Sequence, residues 1–435
     1  MEDKIVSIRA QQIIDCKCRP ALEVEVRTES GAVGRGAAPT GTSVGMHEAY
    51  VLRDGDKSTY NGLSVHKAVE KAETVIGPAL IGMNVYDQRG IDMTMIKLDG
   101  TPDKRNLGGN TIYSVSIAVF RAAADSRRVP LYNVIAGGDI QAIPVPCFNV
   151  INGGKYENFT QAFNEFLIVP YGTESVDVAV EMAITVFQKL SDVLTDYLGS
   201  KPQVASSYGY AAPSDDPEVI LALMKKAVDA CGYSGQIAFA LDCASSEFYD
   251  AESQTYLLKG QRVGSNELIA YTKCLTEKFD LVFVEDLLDE NDWDGYTKAN
   301  RELSRTLVLG DDLTVTNIEY LERAYETKAV SGFILKPNQV GTITEALDAY
   351  NFAQSHKMIA VPSGRSGGVV DDVVMDFSVG LQVPFQKNGA PRSGERIEKL
   401  NFLMRASARN PGSRLHDIRP LLRFSAPGPD DHSSH

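Results

Sequence analysis

The sequence lacks several features that would assign it to common classes of protein. No apolar run approaches the roughly 18–20 residues that cross a membrane, and the start, MEDKIVSIRA, has no apolar core of a secretion signal. The six cysteines contain no Cys-x-x-Cys; Cys16 and Cys18 are the close pair, and a redox or metal role for them is the weaker alternative. We therefore expect a reduced, cytoplasmic protein with no membrane partner.

Positive charge is also in deficit. The chain has 43 lysines and arginines against 57 acidic residues, a formal net charge of −14. Such a surface disfavours nucleic acid and anionic membranes, so we expect no nucleic-acid partner. A phosphorylated ligand remains compatible, because a bound Mg²⁺ and a few placed lysines and arginines can reverse the local field. A hydrophobic content of 43% over 435 residues is enough for a large core and for more than one domain.

Two patterns divide the chain near residue 137. Residues 5–37 alternate apolar and polar side chains, which predicts an antiparallel three-stranded meander, and the helical spacing of NTIYSVSIAVFRAAADS adds a helix. Residues 1–136 are thus predicted to be an α+β capping domain. Residues 137–424 repeat strand then helix, which predicts an α/β fold of the β/α barrel type. An open doubly wound sheet is the alternative, although no Gly-x-Gly-x-x-Gly follows a strand. The polar residues 425–435 are expected to be a disordered tail.

Two helix starts carry the sequence pattern of a capping box. Thr316 and Glu319 form one such pair, and Thr342 and Glu345 form the other. In this motif the hydroxyl and the glutamate satisfy exposed N–H groups at the beginning of a helix. Both threonines are therefore predicted to be N-cap residues.

Four apolar runs in the second part of the chain end in an acid or a lysine. IAFALD ends at Asp242, LVFVED reaches Glu285, LVLGDD reaches Asp311, and GFILK ends at Lys336. In a barrel the chemistry lies at the carboxyl ends of the strands, so these four side chains should converge. Three carboxylates suit Mg²⁺, a hard ion that prefers oxygen ligands, and the lysine beside them could act as a base.

The chain resembles the enolase family over nearly its whole length. The resemblance rests on eight motifs in the family's order. They are GTSVGMHEAYVLRDGD, LDGTPDKRNLGGN, NVINGG, LDCASSEFYD, VEDLLDENDW, LGDDLTVTN, ILKPNQVGTITE and the RSG at Arg365. It implies an α+β cap on a barrel whose first strands and helices break strict β/α order. It also implies a homodimer or a higher homo-oligomer, with Glu23 and Arg405 at positions that the family uses for a cross-subunit ion pair.

Enzymes of this family remove water from 2-phosphoglycerate to give phosphoenolpyruvate, with up to two Mg²⁺ per site. The proton beside a carboxylate is very weakly acidic, so concentrated positive charge must meet the charge that develops when it leaves. The resemblance implies that Asp242, Glu285 and Asp311 bind the first Mg²⁺. It also implies that Ser43, in a glycine-rich loop, completes a second Mg²⁺ site.

The resemblance assigns the remaining roles to residues around the substrate. Lys336 matches the base, and Glu165 in FNEFLIVP matches one of two glutamates near the leaving group. Lys387 matches the lysine that holds the substrate carboxylate and lowers the pKa of the base by proximity. Arg365 and Ser366 match the pair that binds the phosphate of a small phosphorylated acid.

The chain departs from the family's pattern around the leaving group. The histidine of the family's N-G-G-x-H-A is Tyr156 here, and the proton-donating glutamate of G-D-E-G-G-F-A-P falls at Tyr208. Each tyrosine is as compatible with filling the pocket as with donating a proton. The histidine of S-H-R-S-G-E is replaced by Gly364, which is expected to leave space near the phosphate.

These departures predict a lyase with a changed substrate. The favoured hypothesis is a Mg²⁺-dependent lyase that uses a lysine base and a metal-stabilised enediolate on a phosphorylated or phosphonylated three-carbon hydroxyacid. Enzymes that form carboxyphosphonoenolpyruvate are one such offshoot, although the sequence does not single them out. The alternatives are an ordinary enolase and a non-catalytic homologue that binds metal or ligand.

Overall fold

The computed structural model of this chain describes residues 2–41, 45–154 and 161–425. The first part opens with three strands, β1 (Ile5–Ile14), β2 (Pro20–Thr28) and β3 (Val33–Ala37), paired antiparallel in that order. Gly31 lies in the last turn with a φ of 85°, a backbone conformation that glycine adopts at little cost. The predicted meander is confirmed.

Five helices follow the meander in the part of this region that the structure describes. They are α1 (His66–Lys71) and α2 (Gly77–Leu80), joined by a π-helical turn at Ala72–Ile76, then α3 (Gln88–Asp99), α4 (Gly109–Arg127) and α5 (Leu131–Ala136). Helix α4 lies directly on β3 because two strand residues, Gly34 and Gly36, have no side chain. A Cβ on either glycine would lie closer than 3.0 Å to the backbone of α4, a separation that real Cβ atoms do not show.

Among the described residues, the second part is built on one large sheet of nine strands. Its members are β5 (Val145–Asn152), β6 (Glu165–Pro170), β7 (Tyr210–Ala211), β8 (Ile237–Asp242), β11 (Leu281–Glu285), β12 (Leu307–Gly310), β13 (Gly332–Leu335), β14 (Ile359–Pro362) and β15 (Phe385–Lys387). Two small pairs lie outside it. They are β4 (Ala142–Ile143) with β16 (Arg414–Leu415), and the hairpin of β9 (Tyr256–Leu258) with β10 (Gln261–Val263).

The large sheet closes into a barrel. Its strands follow the order β14, β13, β12, β11, β8, β6, β5, β15, and β7 pairs with β5. Beyond the end of β14, Ser363 forms a parallel bridge with Lys387 of β15 and so joins the two ends of this path. Strand β6 runs antiparallel to both of its neighbours, whereas the other pairs along the path are parallel. The predicted barrel with an irregular beginning is confirmed, and the open doubly wound alternative is wrong.

Helices lie between and after the strands of this sheet. They are α6 (Val176–Leu198), α7 (Pro217–Ala230), α8 (Ser265–Lys278), α9 (Trp293–Glu302), α10 (Ile318–Thr327), α11 (Pro337–Val340), α12 (Ile343–Ser355), α13 (Val374–Gly380) and α14 (Gly394–Arg409). Short 3-10 turns occur at Tyr60–Gly62, Ser245–Phe248, Arg419–Leu421 and Arg423–Ser425. Among the described helices, none is long and apolar enough to span a bilayer.

One of the two predicted capping boxes is wrong. The N-cap of α10 is Asn317, whose side chain accepts the N–H of Glu319 at 2.9 Å. Thr316 is fully buried instead and donates its hydroxyl to Gln339 at 2.7 Å. The cap at α12 is confirmed, because the hydroxyl of Thr342 accepts the N–H of Glu345 at 3.1 Å.

Helix α4 joins the two parts of the molecule. One apolar cluster fills the space between the meander and the first helices, and a second extends through the barrel and its surrounding helices. Ile112 and Val115 of α4 belong to the first cluster, whereas Tyr113 and Ile117 belong to the second. Residues 109–120 of α4 are all buried, as expected for a helix that packs against both clusters. The domain boundary at residues 136 and 137 stays a prediction, and the predicted tail lies almost wholly outside the described residues.

Candidate active site

The ends of the barrel strands bring the predicted acids and lysines together. Asp242 and Glu285 end β8 and β11, and Lys387 ends β15. Asp311 and Lys336 directly follow β12 and β13. A cavity of about 80 Å³ opens between these ends. The predicted site residues that line it are Glu165, Asp242, Asp311, Lys336, Gly364, Arg365, Ser366 and Lys387.

Lys387 lies among three carboxylates. Its Nζ is 2.9 Å from Asp242 Oδ2, 2.5 Å from Glu285 Oε2 and 3.7 Å from Glu165 Oε2. Burial alone would lower the pKa of Lys387, but these carboxylates raise it well above its ordinary value. Burial also raises the pKa of Glu285 well above its usual range; the charge of Asp242 adds to this rise, and Lys387 opposes it. The ammonium is therefore the counter-ion of a buried acidic cluster.

Glu165 reaches this cluster because β6 runs antiparallel. It is the first residue of β6 and pairs in register with Asp242, the last residue of β8. Its Oε1 accepts a hydrogen bond from the side-chain amide of Asn149 at 2.7 Å. Because β6 runs opposite to its neighbours, its amino end lies at the edge of the sheet where the parallel strands have their carboxyl ends. Glu165 is therefore beside Asp242 at that edge.

Lys336 pairs with Asp311. Its Nζ donates to Asp311 Oδ2, and the amide of Gln339 donates to Oδ1 of the same carboxylate at 2.8 Å. Burial is the largest influence on the pKa of Lys336 and lowers it, but the charges of Asp311 and then Glu285 oppose burial and the pKa is raised overall. Lys387 lowers it, as predicted, yet contributes less than Asp311 does. Among the neighbouring charges, Asp311 is thus the one that most opposes loss of a proton from Lys336.

The carboxylates fit a divalent cation. Oε1 of Glu285 is buried and has no hydrogen-bond partner among the described residues, and a buried unsatisfied oxygen is unfavourable unless a ligand engages it. Asp286, Asp311 and Asp312 also present oxygens within 4.8 Å of one another. Asp286 accepts the backbone N–H groups of Asp311 at 2.8 Å and Asp312 at 2.9 Å, so it positions both neighbours. An all-oxygen donor set of this kind suits Mg²⁺.

Arg365 forms a buried two-point ion pair with Glu48. Its two terminal nitrogens lie 2.8 and 3.1 Å from the two carboxylate oxygens, and both side chains are 4% exposed. The N–H of Gly45 donates to the same carboxylate at 3.0 Å. The predicted phosphate-binding arginine is thus in the cavity wall, with a carboxylate from the first part of the chain against it.

Two family models match nearly all of this chain. The model described as the enolase N-terminal domain matches residues 5–135, and the model described as the enolase C-terminal TIM barrel domain matches residues 140–411. The chain belongs to the enolase family. The family generally uses Mg²⁺, and the donor set at the strand ends of this enolase-family chain agrees with that use.

The positions at which this chain departs from the family's pattern are only partly described by the structure. Tyr156 lies outside the described residues, as does Ser43, which matches the family, so the predicted roles of both stay predictions. The hydroxyl of Tyr208 donates to the backbone carbonyl of Cys16 at 2.7 Å, and Tyr208 is not among the described residues that line the cavity. This contact favours the structural interpretation of Tyr208 over a role as proton donor.

Gly364 does not leave empty space. A Cβ on Gly364 would lie closer than 3.0 Å to Nζ of Lys399, so the ammonium of Lys399 already fills that position. The expectation of free space beside the phosphate is therefore wrong. Lys399 and Arg396 line the cavity and were not predicted, although the helical pattern GERIEK places them on consecutive turns of α14. The contact of Glu48 with Arg365 was also not predicted.

Proposed function

We propose that this enolase-family chain is a Mg²⁺-dependent carbon–oxygen lyase whose substrate is a phosphorylated or phosphonylated three-carbon hydroxyacid other than 2-phosphoglycerate. The observation that carries the proposal is the pair of lysines, the partly buried Lys336 and the buried Lys387, each paired with carboxylates at the strand ends. Arg365 and Ser366 line the same cavity and are our candidates for binding the phosphoryl or phosphonyl group.

The wall near the leaving group supports a substrate different from that of an ordinary enolase. Two family residues near the leaving group, a histidine and a proton-donating glutamate, are replaced here by Gly364 and Tyr208. The hydroxyl of Tyr208 donates to the backbone carbonyl of Cys16. Among the described residues that line the cavity there is no histidine, whereas Arg396 and Lys399 are present. A wall of guanidinium and ammonium groups favours an acidic substituent. A product of the carboxyphosphonoenolpyruvate type is one candidate in this class.

In the proposed reaction, Nζ of Lys336 takes the proton from the carbon beside the substrate carboxylate. The electron pair of the broken C–H bond moves onto that carboxylate, which Lys387 holds by charge and hydrogen bonding. The C–O bond at the next carbon then breaks, the electron pair forms the double bond, and the hydroxyl leaves as water after gaining a proton. Glu165 is our candidate for the proton donor.

The residues that would hold Mg²⁺ are Asp242, Glu285 and Asp311, with Ser43 completing a second site. When bound, Mg²⁺ supplies positive charge opposite the carboxylate oxygens on which negative charge develops. A cation that engages Asp311 would also weaken its pairing with Lys336, so the lysine could lose its proton more easily.

The decisive experiment follows α-proton exchange in D₂O by NMR, with a panel of phospho- and phosphono-hydroxyacids and Mg²⁺. We expect exchange with at least one member and little phosphoenolpyruvate from 2-phosphoglycerate. Robust turnover of 2-phosphoglycerate would instead identify an ordinary enolase. Binding without exchange for every member would identify a non-catalytic homologue.

Replacement of the base tests the role of Lys336. Lys336→Ala should abolish exchange and retain Mg²⁺ binding, because Asp242 and Glu285 remain in place. The matched control is Lys225→Ala, since Lys225 is 52% exposed and pairs with Asp229 on the surface of α7. An undiminished rate in Lys336→Ala would rule out its role as base.

A homodimer in the cytoplasm completes the proposal. In the single chain, Arg405 pairs with Glu398, and Glu23 accepts a hydrogen bond from Gln11 at 2.8 Å. A cross-subunit pair between Glu23 and Arg405 would replace or share these contacts. Size-exclusion chromatography with light scattering should give twice the chain mass, and a monomer at micromolar concentration would contradict the proposal.

A further inference from the structure

Helix α14 places a buried ion pair against the cavity. Lys399 and Glu395 lie one turn apart and are paired through Nζ and Oε1, and their side chains are 4% and 3% exposed. Lysine and glutamate are almost never buried to this degree unless they are paired. A surface pair would stabilise the helix equally well in solvent, so the burial of this pair at the cavity calls for another explanation.

Two glycines make room for the pair. A Cβ on Gly364 would lie closer than 3.0 Å to Nζ of Lys399, and a Cβ on Gly368 would lie as close to Oε1 of Glu395. Neither glycine has a positive φ, so the backbone does not require glycine at either position. Glycine at positions 364 and 368 therefore leaves room for side chains from α14, and the ion pair occupies that room.

The ammonium of Lys399 has capacity for a ligand. An ammonium offers three donors, and among the described residues one of them is taken, by Glu395. Lys399 lines the cavity together with Arg365 and Ser366. Its ammonium occupies the place where a side chain at position 364 would lie. Arg396 lines the same wall. An ammonium and a guanidinium thus lie in the wall beside the candidate phosphate-binding arginine. Among the described residues, Glu395 and Asp372 are the carboxylates that face Lys399; burial raises the pKa of Asp372, and the charge of Lys399 opposes this rise.

We propose that Lys399 contacts the substrate and selects one that carries a second acidic group at its phosphorus-bearing end. Arg365 and Ser366 would bind the phosphoryl or phosphonyl oxygens, and Lys399, flanked by Arg396, would bind the additional carboxylate or similar anion. This deepens the proposed function and rests on it for the identity of the site, but ligand binding can be measured without turnover.

The test compares two small phosphonates by isothermal titration calorimetry in the presence of Mg²⁺. Phosphonoformate carries a carboxylate on phosphorus, and methylphosphonate carries an uncharged methyl group there. A hydrogen bond to a charged group favours the first ligand by about tenfold or more. Wild-type protein should show this preference, and the control Lys225→Met should retain it. Equal binding of the two ligands, or no binding of either, by wild-type protein would overturn the proposal.

Three variants separate the role of Lys399 from a structural role. Lys399→Met should reduce the preference to within about twofold by weakening phosphonoformate alone. This variant leaves the buried Glu395 with Arg396 as its remaining partner, at 3.7 Å between Oε2 and Nε. The double variant Glu395→Gln/Lys399→Met removes both charges of the original pair and should give the same result. Gly364→Ala leaves the lysine in the chain but displaces its ammonium, so the preference should fall there too.

The outcomes distinguish this inference from the proposed lyase activity. A preference that survives in the double variant would overturn the inference, as would an equal loss of affinity for both ligands. A preference that depends on Lys399, together with no α-proton exchange in any substrate, would retain the binding role and refute the lyase. Proton exchange that depends on Lys336, without a ligand preference that depends on Lys399, would support the lyase and overturn the binding role of Lys399.

Discussion

Replacement of Lys387 by methionine gives the sharpest prediction for this fold. The change preserves most of the side-chain volume but removes the positive charge that lies 2.9 Å from Asp242 and 2.5 Å from Glu285. Glu285 has a fully buried side chain, so its charge cannot be solvated in place. Removal of one partner from a buried ion pair costs about 3–5 kcal/mol. We therefore expect the free energy of unfolding in EDTA to fall by about that amount.

Mg²⁺ and pH should both reduce this loss. A ligand at 100 times its dissociation constant stabilises the native state by about 2.7 kcal/mol, and the variant has no ammonium competing for the same oxygens. The pKa of Glu285 is raised well above its ordinary value, first by burial, so its ionised form is penalised in the folded state. That penalty is present when the pH is above the folded pKa and disappears as the pH falls below the unfolded pKa. The deficit of Lys387→Met should thus be larger at pH 8 than at pH 5.

The assay is urea unfolding followed by the fluorescence of Trp293, the one tryptophan of the chain. The matched control is Arg89→Met, because Arg89 and its partner Asp348 are 62% and 36% exposed. An exposed pair contributes about 0–1 kcal/mol, so this control should be nearly neutral. The reasoning is refuted if Lys387→Met is as stable as the control in EDTA. It is also refuted if Mg²⁺ leaves the difference between variant and wild type unchanged.

Three further predictions concern packing, capping and anion binding. Gly36→Ala should lower the free energy of unfolding by about 1–3 kcal/mol, because its Cβ would overlap the backbone of α4. The control Gly138→Ala should be neutral in the same urea assay, because a Cβ at position 138 would lie in open space. Asn317→Ala should cost about 1 kcal/mol through loss of the N-cap bond to α10, and a stability equal to wild type would contradict that bond. Glu48→Gln should strengthen binding of inorganic phosphate several-fold in calorimetry, because it removes the charge that neutralises Arg365; unchanged affinity would show that phosphate does not reach Arg365.

The strand-end chemistry could be predicted because it follows from periodicity. A run such as IAFALD has to end at the edge where parallel strands end, so the approach of Asp242 and Glu285 follows once the barrel is inferred. Glu165 needed the resemblance as well, since nothing in FNEFLIVP reveals that its strand runs antiparallel. Thr316 was misassigned because the capping-box pattern ignores burial, and the adjacent Asn317 was free to cap.

The contacts that were not predicted depend on tertiary structure. Glu395 and Lys399 have the spacing of an ordinary exposed helix pair, and the sequence does not show that the pair is buried against Gly364 and Gly368. Glu48 and Arg365 are 317 residues apart along the chain. No local pattern encodes the burial of the first pair or the contact of the second, so both depend on the folded barrel.

The burial of α4 on all sides has a consequence for folding. Ile112 and Val115 would lose one set of neighbours if the meander unfolded alone, and Tyr113 and Ile117 would lose the other if the barrel did. Either event strips one face of the same helix and exposes apolar surface that the remaining part cannot cover. The two parts should therefore melt in one cooperative transition rather than as independent units. The segment that carries Glu48 belongs to the first part. Its contact with Arg365 of the barrel should therefore persist for as long as the chain is folded.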